Sequence, residues 1–387
     1  MPRRFAKRLD GIQPFHVMEV LAKARQLEAA GRSIVHMEIG EPDFPTPEPI
    51  LAAAQRALRQ EPMHYTPALG LPALREAIAR HYGDRYGVEV SPARIVVTAG
   101  SSAALLLAAG MLLDPGRRLL LADPGYPCNR HFARFVGAEA AGVPVGPETA
   151  YQLTADLVEC HWSPETAAVL LASPSNPTGT VVPGEELKAI SATVARLGGT
   201  LIVDEIYHGL TYGEHAPSVL EVNEEAFVVN SFSKFFNMTG WRLGWLVVPQ
   251  EYVRAADTLQ QNLYIAAPTP AQHAALAAFE PETLAILEQR RQEMRQRRDY
   301  LLPALRELGF GLPLEPQGAF YLYADCSRFT QDSHGFALDV LDRAGVAITP
   351  GLDFGSNQPE RHVRFAYTTS LENLREGVAR LRAHLGR

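Results

Sequence analysis

The 387-residue sequence has few of the features that mark disulfide-rich, membrane-spanning or nucleic-acid-binding proteins. Its three cysteines, Cys128, Cys160 and Cys326, are isolated and form neither a CxxC pair nor a zinc-ligand spacing. No uncharged apolar run approaches the ~20 residues that span a bilayer. The N-terminus, Met1–Arg8, is basic but lacks the apolar stretch of a secretory signal. The net charge of −7 argues against a nucleic-acid binder. We therefore expect a globular, cytoplasmic protein.

Lysine is also scarce, and one lysine differs from the others in its sequence neighbours. The four lysines are Lys7, Lys23, Lys188 and Lys234. Only Lys234 lies among aromatic residues, in the run Asn230–Arg242. An ammonium in apolar surroundings loses solvation, which favours the neutral and nucleophilic amine. Such an amine can form a Schiff base with a carbonyl compound. The alternative, in which Lys234 only extends its ammonium to the surface, stays open at this point.

Short apolar runs alternate with helical patterns from about Ser91 onward. The runs are apolar almost throughout, which indicates strands buried on both faces of a sheet. The predicted strands are Ile95–Thr98, Leu119–Ala122, Ala168–Ala172, Leu201–Asp204, Phe227–Asn230 and Trp245–Val248. Helical stretches between them, such as Glu185–Leu197, indicate βαβ units. We predict an α/β fold with a mostly parallel sheet.

The pattern changes after a long charged helix that is predicted over Leu284–Leu308. Strands are then predicted over Phe320–Ala324, Val346–Thr349 and His362–Tyr367, and helices over Phe336–Ala344 and Leu371–Leu385. This mixture indicates a smaller α+β domain. The segment before Pro42 is expected to join it, because the two ends of a chain often lie close together. We predict a large domain over residues 46–289 and a small domain from residues 1–45 and 290–387.

Polar residues follow several of the predicted strands, at the carboxyl ends where ligands bind in parallel sheets. Ala99–Ser102 leads into an apolar helix whose free N–H groups could bind a phosphate. The same residues also suit an ordinary strand-to-helix turn with a serine cap. Ser173–Gly179 forms a rigid turn around Asn176. Asp204 ends a buried strand, and a buried carboxylate needs a partner.

Seven short motifs occur in an order that resembles the class I/II aminotransferases, the fold-type-I pyridoxal-phosphate enzymes. They are Gly40–Pro47, Tyr65–Thr66 with Gly70 and Leu74–Arg75, Asp123–Pro127, Asn176–Gly179, Asp204–Tyr207, Ser231–Lys234 with Gly240–Arg242, and Val363–Phe365. The resemblance covers nearly the whole chain. It implies a seven-stranded, mostly parallel sheet between helices, plus a smaller α+β domain, and the cofactor pyridoxal 5′-phosphate.

The resemblance also implies roles for the residues around the cofactor ring. Lys234 would hold the cofactor as an internal aldimine and move the proton between the substrate Cα and cofactor C4′. Asp204 would pair with the pyridinium nitrogen and keep the ring an effective electron sink, with a lowered carboxyl pKa. Tyr207 and Asn176 would bind the cofactor 3′-oxygen. Tyr126 would stack on the ring.

Five further residues would hold the phosphate, and others the substrate. The phosphate residues are Ser101, Ser102, Ser231, Ser233 and Arg242. Tyr65 resembles the tyrosine that reaches the phosphate of the neighbouring subunit, which implies a homodimer with shared sites. A small polar partner contact is expected near Ala267–Thr269 but has no definite position. Arg364 would bind the substrate α-carboxylate as a bidentate fork, helped by Asn176 and the N–H of Gly40.

The predicted activity is amino-group transfer between an α-amino acid and a 2-oxo acid, in two half-reactions. A lyase, such as a cysteine-conjugate β-lyase, would use the same lysine, aspartate and arginine. A DNA-binding regulator with an aminotransferase-like domain is rejected, because only about 35 residues precede Glu38, too few for an independent domain. Histidines such as His36 and His208 show no HExxH-like spacing, so no metal is expected.

Substrate preference is predicted from the residues expected to surround the side chain. Phe15, Tyr126 and Phe320 make an apolar and aromatic wall, which favours neutral or aromatic amino acids. Some bacterial aspartate aminotransferases similar to this chain carry a lysine where Ser102 stands, to bind the distal carboxylate. Its absence argues against a dedicated aspartate enzyme, and the alternative, an arginine elsewhere in that role, stays open at this point. The expected second pair is glutamate and 2-oxoglutarate or alanine and pyruvate.

Overall fold

The computed structural model describes residues 5–213 and 216–386. Its helices are α1 (His16–Ala29), α2 (Glu48–Gln60), α3 (Pro72–Tyr86), α4 (Ser101–Leu112), α5 (Pro127–Phe135), α6 (Ala155–His161), α7 (Gly184–Arg196), α8 (Val253–Leu263), α9 (Thr269–Ala275), α10 (Pro281–Leu308), α11 (Ser333–Asp339) and α12 (Leu371–His384). Its strands are β1 (Val35–His36), β2 (Ile95–Thr98), β3 (Arg118–Asp123), β4 (Glu139–Pro144), β5 (Thr166–Ala172), β6 (Thr200–Asp204), β7 (Phe227–Ser231), β8 (Gly244–Val247), β9 (Tyr321–Asp325), β10 (Val346–Ala347), β11 (Thr349–Pro350) and β12 (His362–Ala366).

Seven strands form one sheet in the order β2-β8-β7-β6-β5-β3-β4. Only β8 runs antiparallel to its two neighbours, so the predicted mostly parallel α/β sheet is confirmed. Successive residues of a strand enter two different apolar layers: Val169 packs in one and Leu170 in the other. Both faces are therefore buried, which is why these strands are apolar throughout.

Six strands of this sheet lie where the sequence predicts them, with ends that differ by at most two residues. The strand not predicted is β4, which is at the edge of the sheet. Its residues are mostly half-buried or exposed, so Glu139 and Gly142 interrupt the apolar pattern. β2, at the other edge, is fully buried and keeps its apolar run, so it is the exposure of β4 that hides it from the sequence pattern.

The C-terminal part of the chain forms two smaller sheets. Strands β11, β12 and β9 form an antiparallel sheet, and β10 pairs in parallel with β1 from the N-terminal segment. The predicted strand Val346–Thr349 is divided at Ile348, because β10 and β11 belong to different sheets. The predicted helix Phe336–Ala344 begins earlier, at Ser333, where Asp332 caps its first turn, and ends in a π-helical turn over Val340–Ala344.

The division into residues 46–289 and residues 1–45 with 290–387 stays a prediction. Its second boundary falls inside α10, which runs without interruption from Pro281 to Leu308. Within the described ranges, no helix is both long and apolar enough to cross a membrane.

Candidate active site

Lys234 follows β7 and is half-buried, with its amine between two aromatic rings. The Nζ atom is 6.0 Å from the ring centre of Tyr207 and 5.7 Å from that of Phe320. It donates a hydrogen bond of 2.8 Å to the carbonyl oxygen of Gly40. Burial, together with the nearby guanidinium of Arg364, lowers the pKa of Lys234 to about 8 against the opposing effect of Glu41. The amine is therefore much closer to its nucleophilic form at neutral pH than an exposed lysine.

Asp204 ends β6 and is buried, with the N–H of Ile206 donating to its Oδ1 at 3.2 Å. Desolvation raises the pKa of this carboxyl to about 7, and the charge of Lys234 offsets only part of that rise. The sequence instead predicts a lowered pKa, on the assumption of a cation directly opposite. The carboxyl thus lies in a place where an added cation would be strongly favoured.

Two tyrosines connect the surroundings of Lys234 to those of Arg364. The hydroxyls of Tyr207 and Tyr321 are 3.0 Å apart, and both side chains are buried. Burial raises the pKa of each phenol, so both are protonated at neutral pH. Tyr321 also lies against Gly40, where an added Cβ would overlap its hydroxyl. Gly40 is therefore needed for the close approach of these chains.

Arg364 lies on β12 and is held on two sides. Its Nη1 donates to Asn176 Oδ1 at 2.9 Å, and its Nη2 donates to the carbonyl oxygen of Glu38 at 2.6 Å. The guanidinium lies over the Tyr321 ring at 4.3 Å and the Phe354 ring at 4.9 Å. Its buried Nε has no hydrogen-bond partner within the described residues. A buried N–H without an acceptor is costly, so the Nε side of the Arg364 guanidinium favours the binding of an anion.

A second cluster of polar groups surrounds the first turn of α4. This apolar helix starts at Ser101, and in the described chain no side chain caps its N-terminus. Gly100 has φ = +81°, and an added Cβ there would fall 2.5 Å from Arg242 Nη2. Free N–H groups, the helix dipole and a guanidinium in one place form a phosphate-binding arrangement.

Serines from the Lys234 segment complete this cluster. Ser233 Oγ accepts a hydrogen bond from Arg242 Nη1 at 3.4 Å, and Ser231 Oγ accepts one from the N–H of Ser233 at 3.0 Å. Arg242 itself has φ = +52°, a left-handed conformation that costs a non-glycine residue about 1–2 kcal/mol. Such strain persists where the surrounding structure imposes it, as is common at functional sites. Ser101 and Ser102 are half-buried at the same helix end.

Phe15 and Tyr126 line a cavity of about 320 Å³ next to this site. Phe354, which stacks on Arg364, forms another part of the same wall. Phe15 directly precedes α1, and Asp353 fixes the start of that helix by accepting from the N–H groups of His16 and Val17 at 2.7 and 2.9 Å. The N-terminal segment is thus anchored beside the predicted substrate wall.

Tyr65 lies away from these residues in its own chain, with 81% of its surface exposed. The neighbouring carbonyl of His64 accepts from Thr269 Oγ1 at 2.8 Å, and Gln272 Nε2 donates to Thr66 Oγ1 at 2.9 Å. These bonds join the Tyr65 segment to the start of α9. Thr269, in the stretch where the sequence predicts a small polar contact, is therefore on the same surface as Tyr65.

The structure brings together most of the predicted site residues, and it adds two that the sequence did not identify. Tyr321 is the first; as one of several aromatic residues in a strand, it resembles ordinary core. Asp353 is the second, and 337 residues separate it from the His16 N–H that it binds. Tyr321 lies on β9 and Asp353 follows β11, so only knowledge of how β11, β12 and β9 pair could have placed these two residues near the site.

Residues with predicted structural roles also have definite surroundings. Glu205 is fully buried and accepts from the Ser218 hydroxyl and the Val219 N–H, and desolvation raises its pKa to about 8. Arg361 forms a partly exposed ion pair with Asp325 at 3.3 Å. Trp245, Phe235 and Phe236 pack in the main apolar core.

Comparison with known proteins gives the same family over almost the entire chain. The family model of the class I and II aminotransferases matches residues 32–381. The valine–pyruvate aminotransferase of Mycobacterium tuberculosis is 41% identical over 374 residues, which cover 96% of each chain. The aspartate/prephenate aminotransferase of Thermus thermophilus is 36% identical over 388 residues, which cover 100% of each chain.

Solved structures agree with these sequence relationships. The crystal structure of an aminotransferase from Mycobacterium tuberculosis superposes with a TM-score of 0.96, at 41% identity and 99% coverage of both chains. The aspartate aminotransferase of Thermus thermophilus, solved with maleate, superposes with a TM-score of 0.93, at 36% identity and 99% and 100% coverage. A lysine, a buried aspartate and an arginine around one space are thus found on a fold shared with these enzymes, and the chain belongs to the class I and II aminotransferases, which use pyridoxal 5′-phosphate.

Proposed function

We propose that this aminotransferase moves an amino group between a neutral amino acid, aliphatic or aromatic, and a 2-oxo acid. Glutamate with 2-oxoglutarate or alanine with pyruvate would be the second pair. The observation that carries the proposal is that the Asp204 carboxyl and the Arg364 guanidinium lie close enough to the Lys234 amine for both charges to shift its pKa. Of the relatives, one is named for valine and pyruvate and another for aspartate and prephenate, so the family name alone leaves the substrate open.

The residues present fit the cofactor at both of its ends. The uncapped start of α4, Gly100 and Arg242 would hold the phosphate, with Ser101, Ser102, Ser231 and Ser233 as further donors. Asp204, a buried carboxyl with a raised pKa, would pair with the ring nitrogen. Tyr207 and Asn176 would bind the ring oxygen, and Tyr126 would stack on the ring.

When bound, the cofactor supplies an aldehyde that takes up the amino group and a protonated ring that accepts the electron pair left at the substrate Cα. Lys234 would hold the cofactor through its amine and then move the proton at the substrate Cα. The lowered pKa of this amine suits both roles, because a base works best when its pKa lies near the working pH. Aromatic rings lie on two sides of the amine and reduce its contact with solvent.

Arg364 would bind the substrate α-carboxylate. Two of its nitrogens are already fixed by Asn176 and the carbonyl of Glu38, so the guanidinium needs little reorganisation when the anion arrives. The N–H of Gly40 would contribute beside it. Phe15 and Tyr126, which line the neighbouring cavity, and Phe320 beside the Lys234 amine would give the substrate side chain aromatic surface to contact, which supports neutral substrates.

We also propose a homodimer with shared sites and a cytoplasmic location. Tyr65 is too exposed to contact the phosphate site of its own chain. Leu263 and Ile265, which lie before α9, are also more than half exposed. A second copy would cover these side chains and receive Tyr65 near its phosphate site. The three cysteines are free, which supports a reducing compartment.

The lyase alternative shares the same residues but has less support, because the similar proteins named above are all aminotransferases. Lys234→Ala tests the assignment directly. We expect turnover to fall by about 10³-fold or more and the cofactor's visible absorption to change, because a proton-transferring amine is lost. Lys188→Ala, an exposed lysine of α7, is the matched control. Normal turnover in Lys234→Ala without added amine would refute the role of Lys234.

A further inference from the structure

Three side chains with metal-binding groups converge between α1 and α11, away from the lysine site. They are His16 and Glu19 on α1 and His334 on α11, and within the described ranges they are the one set of three or more such side chains close enough to hold an ion. We propose that they form a binding site for a divalent transition-metal ion such as Zn²⁺. The role is independent of amino-group transfer.

The distances suit one shared ion. His334 Nε2 is 3.2 Å from Glu19 Oε2, and His16 Nδ1 is 4.0 Å from the same oxygen. All three ligand atoms lie within 4.8 Å of one another. Zinc–nitrogen and zinc–oxygen bonds of roughly 2.0–2.2 Å put ligand atoms of a tetrahedral site about 3.4 Å apart. A small torsional change of His16 is enough to reach that spacing.

The donor set has the chemistry of a transition-metal site. Two imidazoles and one carboxylate favour Zn²⁺ and related ions over Mg²⁺ or Ca²⁺, which prefer oxygen ligands. Three protein ligands leave a fourth position for water. The side chains are 37%, 57% and 28% exposed for His16, Glu19 and His334, so an ion and its water can reach them from solvent.

Both helices are fixed in place before any ion binds. Val20 and Ala24 of α1 pack on Leu341, which follows α11, and all three are fully buried. Lys23 on α1 also pairs with Asp342. Sites built on packed helices hold their ligands more accurately than sites on loops, and binding then costs less conformational entropy.

The proposed ion would connect α11 to the start of α1. Asp353 already holds that start, and Phe15 beside it lines the cavity shared with Tyr126. The sequence predicts no metal because 315 residues separate Glu19 from His334, so no local motif exists. A bound ion would therefore stiffen one wall next to the substrate site without entering it.

The test is a metal titration of the full-length, cofactor-loaded protein after treatment with a chelator. Zn²⁺ binding is measured by competition with a chromophoric chelator, and Co²⁺ binding by its visible d–d absorption. We expect one ion per chain with a Kd in the micromolar range or below, and at least a tenfold weaker Kd in His16→Gln and in His334→Gln. Far-ultraviolet circular dichroism and cofactor content establish that each variant is folded.

His384→Gln is the matched control, because His384 Nε2 pairs with Asp339 at 3.0 Å in another partly exposed histidine–carboxylate contact. It should leave the Kd and the Co²⁺ spectrum unchanged. Less than one ion per chain, a Kd unchanged in both histidine variants, or an equal loss in His384→Gln would overturn the proposal. None of these readouts depends on aminotransferase activity, so the metal site and the proposed function can fail separately.

Discussion

At the scale of single residues, the site depends on polar groups that are buried with some of their partners absent. Arg364 has acceptors for Nη1 and Nη2 but, among the described residues, none for its buried Nε. Asp204 is buried with a raised pKa, and Lys234 is half-buried with a lowered one. Each group gains stability when an oppositely charged ligand arrives, which is how a folded chain prepares a binding site.

Arg364→Ala should weaken the binding of every amino-acid substrate. Loss of charge-assisted hydrogen bonds to the α-carboxylate costs about 1.5–3 kcal/mol, so we expect the half-saturation concentration to rise roughly ten- to hundredfold. Steady-state rates over a range of amino-acid concentrations measure it. Arg361→Ala is the control, because this partly exposed arginine pairs with Asp325. Equal half-saturation concentrations in Arg364→Ala and the unaltered protein would remove Arg364 from the site.

Tyr321 supports two groups at once, and two substitutions separate these effects. Tyr321→Phe removes the hydroxyl that meets Tyr207 but keeps the ring beneath Arg364. We expect it to shift the pH dependence of the cofactor's visible absorption, because Tyr207 loses its partner, while the half-saturation concentration stays within about twofold. Tyr321→Leu also removes the ring and should raise that concentration several-fold, since cation–π contacts contribute about 0.5–2 kcal/mol.

Spectrophotometric pH titration and initial rates measure these two effects. Identical spectral titrations of Tyr321→Phe and the unaltered protein would show that the tyrosine pair does not influence the cofactor.

At the scale of elements, the ends of strands and the starts of helices decide where functional groups lie. Asp204 is the last residue of β6, and Lys234 comes shortly after the end of β7. Gly100 directly precedes α4. The start of α1 depends on Asp353, whose two oxygens accept from the first N–H groups of the helix. That carboxylate also lies favourably toward the positive end of the helix dipole.

Asp353→Ala should loosen the first turn of α1 by about 1–2 kcal/mol, the usual effect of losing a helix cap. Phe15 would then be held less firmly beside Tyr126. We expect faster hydrogen exchange at the N–H groups of His16–Glu19 and a changed ratio of kcat/KM between phenylalanine and alanine.

Ser370→Ala, which removes the cap of α12, is the control and should leave that ratio unchanged. Unaltered exchange at the start of α1 would contradict the proposed anchoring.

The sequence predicts elements well where one physical signal dominates. β2 has the predicted bounds because a fully buried strand is continuously apolar. β4 escapes prediction because most of its residues are half-buried or exposed, so it carries no such run, and Val346–Thr349 is divided because pairing partners far along the chain differ for its two halves. The contact of Asp353 with α1 and the contact between His16 and His334 cannot be predicted for the same reason, because each joins segments that are far apart in the sequence. Contacts between distant segments depend on tertiary packing, which local patterns do not contain.

At the scale of the whole molecule, one predicted site residue lies on the outer surface. Tyr65 is 81% exposed and is joined through His64 and Thr66 to the start of α9. Leu263 and Ile265 are exposed on the segment that leads to the same helix. Exposed apolar side chains that adjoin a predicted contact residue support a symmetric interface with a second copy.

Mixing two inactive variants tests whether the subunits share their sites. Lys234→Ala keeps Tyr65, and Tyr65→Ala keeps Lys234. If Tyr65 acts in the partner's site, each mixed dimer contains one complete site, so random mixing should restore activity to roughly a quarter of the sites. Activity after mixed refolding, compared with each variant alone, measures this. No gain over Tyr65→Ala alone would contradict shared sites, and a monomer in sedimentation would exclude the dimer.

The central claim is amino-group transfer to and from neutral amino acids, and a single half-reaction tests it most directly. The cofactor-loaded enzyme is mixed with each of the twenty amino acids in the absence of a 2-oxo acid, and the cofactor spectrum, the 2-oxo acid and ammonia are measured together. We predict that neutral aliphatic or aromatic amino acids convert the cofactor to pyridoxamine phosphate fastest, with one 2-oxo acid per site and no ammonia. Repeated release of pyruvate with ammonia, or a clear preference for aspartate, would contradict the account.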